Sequence, residues 1–132
     1  MRDIKNREDV FTLVSSFYEA VRKHKEIGPF FNETISDWDE HLEKLTDFWE
    51  SNLFHRAKYK GNPRDAHIGV DQKSGHAVDI KHFGEWLRLW FTTIDRLFTG
   101  ELAERAKNNA RKMSTHLYLE IYKHRPENTQ KH

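Results

Sequence analysis

The chain contains no cysteine. That absence removes disulfides, thiolate zinc sites, iron–sulfur clusters and a cysteine nucleophile together, and it leaves imidazole and carboxylate as the available metal ligands. There is no excess of charge of one sign either: 22 Lys and Arg stand against 21 Asp and Glu, for a formal net charge of +1. No general attraction to nucleic acid or to an anionic membrane is therefore expected. No apolar run approaches a membrane span, and the N-terminal MRDIKNRED lacks the apolar core of a signal peptide. A cytoplasmic protein is expected, in which the glycosylation pattern Asn32-Glu33-Thr34 carries little meaning. Repeats, low-complexity segments and period-two alternation are all missing, so no strand is expected.

What the chain does have is aromatic weight. Nine Phe, four Trp and four Tyr make up 13% of 132 residues, in a chain that is 33% charged. This combination suits thin amphipathic helices around an aromatic-lined interior, and the length fits one domain with one core.

Helical periodicity recurs along the chain. Val10, Leu13, Val14, Phe17, Tyr18 and Val21 share one face, with Asn6 placed as a cap, which predicts a helix from about residue 8 to 23. Gly28-Pro29 ends that pattern, and Phe30 and Phe31 follow in a turn or helical corner. Ser36 with Asp39 offers a second cap, ahead of a stripe of Trp38, His41, Leu42, Leu45, Phe48, Trp49 and Leu53 on a helix over about 37–55. Positions 56–78 carry Gly61, Pro63, Gly69 and Gly75 and predict mostly loop. Asp79 is placed to cap the clearest helix, with Phe83, Trp86, Leu87, Trp90, Ile94, Leu97 and Phe98 on its inner face. After Thr99-Gly100 a last helix carries Leu102, Ala106, Ala110, Met113, Leu117 and Ile121. The expected class is all-α, with four main helices.

Nine histidines in a cysteine-free chain raise the question of a metal. His24, His124 and His132 stand at helix ends or in the tail, where a partly solvated imidazole is the common case. His55 and His116 read as surface or core-edge residues. No His-Glu-x-x-His zincin pattern and no Glu-x-x-His pair of a di-iron bundle occurs. His41 lies on an apolar stripe, where the commoner role is a core-edge histidine satisfied by a neighbour. Tyr18 and Trp86, by spacing alone, read as core residues. His67 stands apart, on a short segment after Gly61-Asn62-Pro63 and ahead of the aromatic helix, as an axial ligand for a flat, apolar, iron-bearing cofactor would.

Four stretches taken together are more specific: SFYEAVRKHKEIGPFFN, DWDEHLEKLTDFWE, YKGNPRDAH and HFGEWLRLWF. In their order and spacing the chain resembles the truncated haemoglobins, and within them the third group, over about Asn6 to Tyr122. The glycine pairs that mark the other groups are absent. The resemblance implies a shortened globin fold, two helices over two around haem b (iron protoporphyrin IX), as a domain over 1–125 followed by a polar tail at 126–132.

It further implies that His67 is the proximal ligand of the haem iron and that Tyr18, His41 and Trp86 form the distal, ligand-binding cluster. Phe30, Phe31, Leu45, Phe48, Phe83 and Trp90 fall where haem-packing side chains are expected. The connection after His67 is longer than is typical and brings in His76, the alternative proximal ligand, in polar Ser-Gly-His surroundings. His82 faces a haem propionate or solvent in this scheme.

The implied function is reversible binding of dioxygen, nitric oxide and carbon monoxide at a five-coordinate iron. Tyr18, Trp86 and His41 can each donate a hydrogen bond, so slow dioxygen release is expected. The same pocket suits a carrier, a sensor, a nitric oxide dioxygenase or a peroxidase, and the enzymes would need an external reductase. The competing expectation is a cofactor-free four-helix interaction module whose aromatic stripes pack only on each other.

Overall fold

Residues 1–55 and 80–123 are described by a computed structural model of the chain. His67, His76, the cap residue Asp79 and the tail 126–132 lie outside the described residues.

The first helix, α1, is Arg7–Lys23. It starts where the Asn6 side chain accepts from the Asp9 N–H at 2.9 Å, satisfying one of the amides that a helix start leaves without a partner. Glu8 and Asp9 in its first turn and Arg22 and Lys23 in its last complement the helix dipole. The expected face is the buried one: Val10, Leu13, Val14, Phe17 and Val21 are completely enclosed and Tyr18 nearly so. Enclosing a side chain such as Phe17 contributes about 1.5–3 kcal/mol.

The corner after α1 tightens into a short helix, α2, Gly28–Asn32, with Pro29 in its first turn. A Cβ at Gly28 would stand 2.9 Å from the Arg22 carbonyl oxygen, so the close return of the chain demands glycine there.

Helix α3 is Trp38–Phe54. Its cap falls one residue away from the expected Ser36: the Asp37 side chain accepts from the Glu40 N–H at 3.1 Å. Two adjacent residues could each cap this start, and Asp37 is the one in extended geometry against the first turn. Helix α4 is Ile80–Leu97 and helix α5 is Glu101–Lys123. The buried stripe of α5 includes Ala103 and Ser114 besides Ala106, Ala110, Leu117 and Ile121.

The pair α1 and α3 packs on the pair α4 and α5. Trp90 is the hub of that contact. Its ring stacks on Trp49 with centroids 4.7 Å apart, meets Phe17 edge-on at 4.9 Å, and its indole N–H donates to the Ala106 carbonyl at 3.1 Å. Polar ties hold the helices in register. Arg7 reaches across to α3 and donates to Asp47, Glu50 and Glu43 at 2.7, 2.9 and 2.8 Å. Asp3, ahead of α1, accepts from the Leu102 and Ala103 N–H groups at 2.8 and 2.9 Å and so caps α5 from the far end of the chain. No helix among the described residues is long and apolar enough to cross a membrane.

Candidate functional site

Tyr18 sits where α1, α2, α3 and α4 meet, 6% exposed. Its ring meets Phe31 of α2 at 5.6 Å, Trp38 and His41 of α3 both at 5.8 Å, and Phe17 of its own helix at 4.8 Å between centroids. From α4 the Trp86 indole N–H comes near enough to the Tyr18 hydroxyl to act as a donor that opposes the effect of burial on the phenol. An indole can only donate and a phenol can do both, so a bond between them would run from Trp86 to Tyr18 and leave the Tyr18 hydroxyl hydrogen for another acceptor.

The three residues expected to form a distal cluster are thus gathered around one phenol, although they come from three helices. Helical periodicity placed each on an inner face, and packing brings the faces together. Burial pushes the Tyr18 phenol well above its ordinary pKa, with the Trp86 bond opposing part of that rise. Tyr18 therefore stays protonated, a donor, through the neutral range.

His41 stands edge-on to both Tyr18 and Trp38, the latter at 5.5 Å. Trp38 is in turn covered by the Arg22 guanidinium, 4.4 Å from its ring centre, a cation–π contact. Trp86 packs edge-on against Phe17 at 5.3 Å and parallel to Trp90 at 6.1 Å.

The six expected packing residues divide into two sets. Phe31, Leu45 and Phe48 are half-buried against the main core, which encloses Trp90 completely. Phe30 and Phe83 belong instead to a second apolar cluster with Leu117, Ile121, Met113 and Tyr118. His82 is at the edge of that second cluster, its ring 4.8 Å from Phe30.

A cleft of about 730 Å³ runs along the α1, α2 and α3 corner, with Ser15, Tyr18, Arg22, Asn32, Trp38 and Leu42 among its lining residues. His41 and Trp86 are not part of that lining, so of the three expected distal residues Tyr18 alone lines the cleft. The Ser15 hydroxyl oxygen is buried there without a hydrogen-bond partner among the described residues. Among the described residues, no three His, Asp or Glu side chains come together as a metal site of their own.

Two residues of the site region escape sequence reading. His24, expected to be a solvated imidazole at a helix end, is 17% exposed and lies with its Nε2 3.0 Å from Glu85 Oε2. Glu85 adjoins Trp86 and also accepts from Arg88 at 2.9 and 3.1 Å. The Glu85–Arg88 spacing is visible as a helical i, i+3 pair, but nothing local links either residue to His24.

The helix order, the two-over-two packing and the shortened chain define an all-α protein of the globin fold. In sequence the chain is 28% identical over 123 residues to the group 3 truncated hemoglobin ctb of Campylobacter jejuni, covering 90% of this chain and 93% of that one. In structure it matches the crystal structure of a group III truncated hemoglobin from Campylobacter jejuni with a TM-score of 0.82 at 29% identity, over 96% of this chain and 99% of the other. No family model matches the chain. In sequence and in fold the chain is thus similar to group III truncated haemoglobins.

Proposed function

We propose that this chain binds haem b and holds dioxygen, and other diatomic ligands such as nitric oxide and carbon monoxide, at a five-coordinate iron with His67 on the proximal side. The observation that carries the reading is the buried Tyr18 phenol, which stands edge-on to His41 and has the Trp86 indole N–H as a nearby donor. The likeness to group III truncated haemoglobins over nearly the whole chain supports it.

The described residues fit such a group. Phe30, Phe31, Leu45, Phe48 and Trp86 are half-buried rather than enclosed, although a core this aromatic would be expected to cover them. A flat apolar plate laid against them would remove that surface from water at roughly 25 cal/mol per Å². His82, its ring against Phe30, would offer a ring nitrogen to a carboxylate of the bound group or to solvent.

Haem, when bound, supplies the iron position at which a diatomic ligand sits. The chain's own residues do the rest. Trp86, as a donor to the phenol, would orient the Tyr18 oxygen so that the hydroxyl hydrogen could be offered to a ligand, and burial keeps that proton in place. Because Trp86 donates to the phenol, the phenol becomes the stronger donor, as hydrogen bonds in series polarise one another in a low dielectric. His41 can add a second donor from a ring nitrogen. Buried donors of this kind hold a partly negative ligand and slow its departure. Detoxification of nitric oxide or peroxide, with electrons from an external reductase, is the enzymatic form of the same proposal.

The visible spectrum tests it. The purified protein should be red, with a strong Soret band that moves when carbon monoxide is added to the ferrous form. A protein that stays colourless after expression with excess haem and takes up none on titration would instead be a cofactor-free helical module. Nitric oxide consumption by the dioxygen-loaded protein tests the enzymatic form.

A further inference from the structure

His24 makes more polar contacts than a residue at a helix end needs. Its Nδ1 accepts from the Glu26 and Ile27 N–H groups at 3.1 and 3.3 Å. A ring nitrogen that accepts carries no proton, so in the neutral imidazole the proton is on Nε2. Nε2 is 3.0 Å from Glu85 Oε2, and it donates there. One tautomer thus satisfies the turn on one side and reaches helix α4 on the other. The His24 carbonyl also accepts from the Gly28 N–H at 2.9 Å, so His24 organises the whole turn that leads into α2 and its Phe30 and Phe31.

At the other end, Glu85 is clamped by both Arg88 contacts. It directly precedes Trp86, the donor to Tyr18. Tyr18 and His24 lie on or at the end of α1, about 9 Å apart at 1.5 Å per residue. Helices α1 and α4 therefore meet twice, where Trp86 approaches Tyr18 and where Glu85, the residue next to it, reaches His24 six residues further along the chain from Tyr18. The first contact needs a particular separation and rotation of the two helices, and the second holds them there.

We propose that His24 and Glu85 are positioning residues for the distal donors: their contact fixes α4 against α1 so that the Trp86 indole N–H meets the Tyr18 hydroxyl oxygen. The effect on ligand retention rests on the haem reading above, whereas the effect on the Trp86 bond does not.

Three variants and a control separate the cases. His24→Asn keeps an acceptor where Nδ1 was and gives up the reach to Glu85. His24→Gln keeps a donor where Nε2 was and gives up the turn contacts. Glu85→Ala removes the far partner. Lys107→Met removes a different tie between α4 and α5, the one from Lys107 to Asp95. The first readout is hydrogen exchange of the Trp86 indole N–H by NMR, assigned by its loss in Trp86→Phe. It is measured in the ferrous carbon monoxide form, or in the haem-free protein if no haem is taken up. The second is the dioxygen dissociation rate.

His24→Asn and Glu85→Ala should exchange the indole proton about tenfold faster and release dioxygen about threefold faster, on the scale of one weakened hydrogen bond. His24→Gln and Lys107→Met should stay close to the parent. If Glu85→Ala leaves the indole exchange unchanged, or His24→Gln loosens it as much as His24→Asn does, the positioning role is overturned. A protein that binds no haem but shows the predicted exchange pattern would overturn the haem reading and leave the positioning of Trp86 standing.

Discussion

The Trp86 indole N–H acts as a donor toward the Tyr18 phenol, against the burial that raises its pKa, so two residues that a sequence reading counts as parallel donors are placed to act in series. Trp86 has one hydrogen to give. Given to the phenol, it leaves Tyr18 as the group that would meet a ligand under the proposed function, with Trp86 working through it.

The serial arrangement makes a distinct kinetic prediction. Tyr18→Phe removes the donor itself, and dioxygen dissociation should rise about fivefold, the equivalent of roughly 1 kcal/mol for one net hydrogen bond. Trp86→Phe removes the orienting bond but keeps the phenol, so its effect should be smaller. In the double variant the Trp86 contribution should largely vanish, because it acts only through Tyr18. Stopped-flow dissociation on the four proteins measures this. Fully additive effects would mean that Trp86 contacts the ligand independently.

What could be read beforehand follows from the range of each interaction. The stripe on α1 and its Asn6 cap are set within a few residues, and they stand where periodicity puts them. The Gly28-Pro29 corner is equally local. The α3 cap was misplaced by one residue because Ser36 and Asp37 are both competent, and backbone geometry decides between them. The meeting of Tyr18, His41 and Trp86 is not a local property at all: each residue reads as core by its spacing, and only the resemblance to a family grouped them. The His24–Glu85 contact spans 61 residues, and the Asp3 cap of α5 spans 99 and 100. No periodicity or local motif announces a partner that tertiary packing alone brings near.

Arg7 offers a test of how α1 and α3 are held together. Its guanidinium lies among Glu43, Asp47 and Glu50, and the Glu50 side chain is only 1% exposed. The bonds to these carboxylates, led by Asp47, hold the Arg7 pKa well above its ordinary value. Arg7→Met takes the cation away from a buried carboxylate, which costs about 1–3 kcal/mol. Urea unfolding should show a lower midpoint with an unchanged slope. Lys23→Met removes an exposed i, i+4 pair with Glu19 and should change the midpoint little.

The N-terminal segment predicts an acid limit to stability. The Arg2 guanidinium and the backbone amides of Lys5 and Asn6 hold the Asp9 carboxyl below its ordinary value, and burial offsets only part of this. For Asp3, burial pushes the pKa up, but the Leu102, Ala103, Ile4 and Glu101 amides outweigh it and the net direction is again down. Both groups bind a proton more readily in the unfolded chain than in the folded one. Their contribution is therefore present above the ordinary carboxylate value of about 3.9 and is lost as the pH falls through the lower, folded values. Thermal unfolding should show stability falling steeply below about pH 4. Asp3→Asn and Asp9→Asn should each be less stable than the parent at neutral pH and lose less on acidification. An unchanged acid slope in both would mean that these carboxylates are not the groups that titrate.

The proximal assignment rests on His67, and two substitutions decide it. A haem iron bound through one neutral imidazole gives a five-coordinate ferrous spectrum, and that spectrum disappears with the ligand. His67 follows Pro63 at the spacing of the Gly-Asn-Pro-x-x-x-His block, whereas His76 sits in a polar Ser-Gly-His stretch. His67→Ala should therefore abolish the five-coordinate ferrous form or weaken haem retention severely, while His76→Ala leaves the spectrum as it was. Imidazole added to His67→Ala should restore a ligated spectrum, because it can occupy the space left by the side chain and offer the same nitrogen. That rescue separates loss of a ligand from loss of the fold. If His76→Ala behaves in this way and His67→Ala does not, the ligand is His76, and the extra length after His67 is what carries it to the iron.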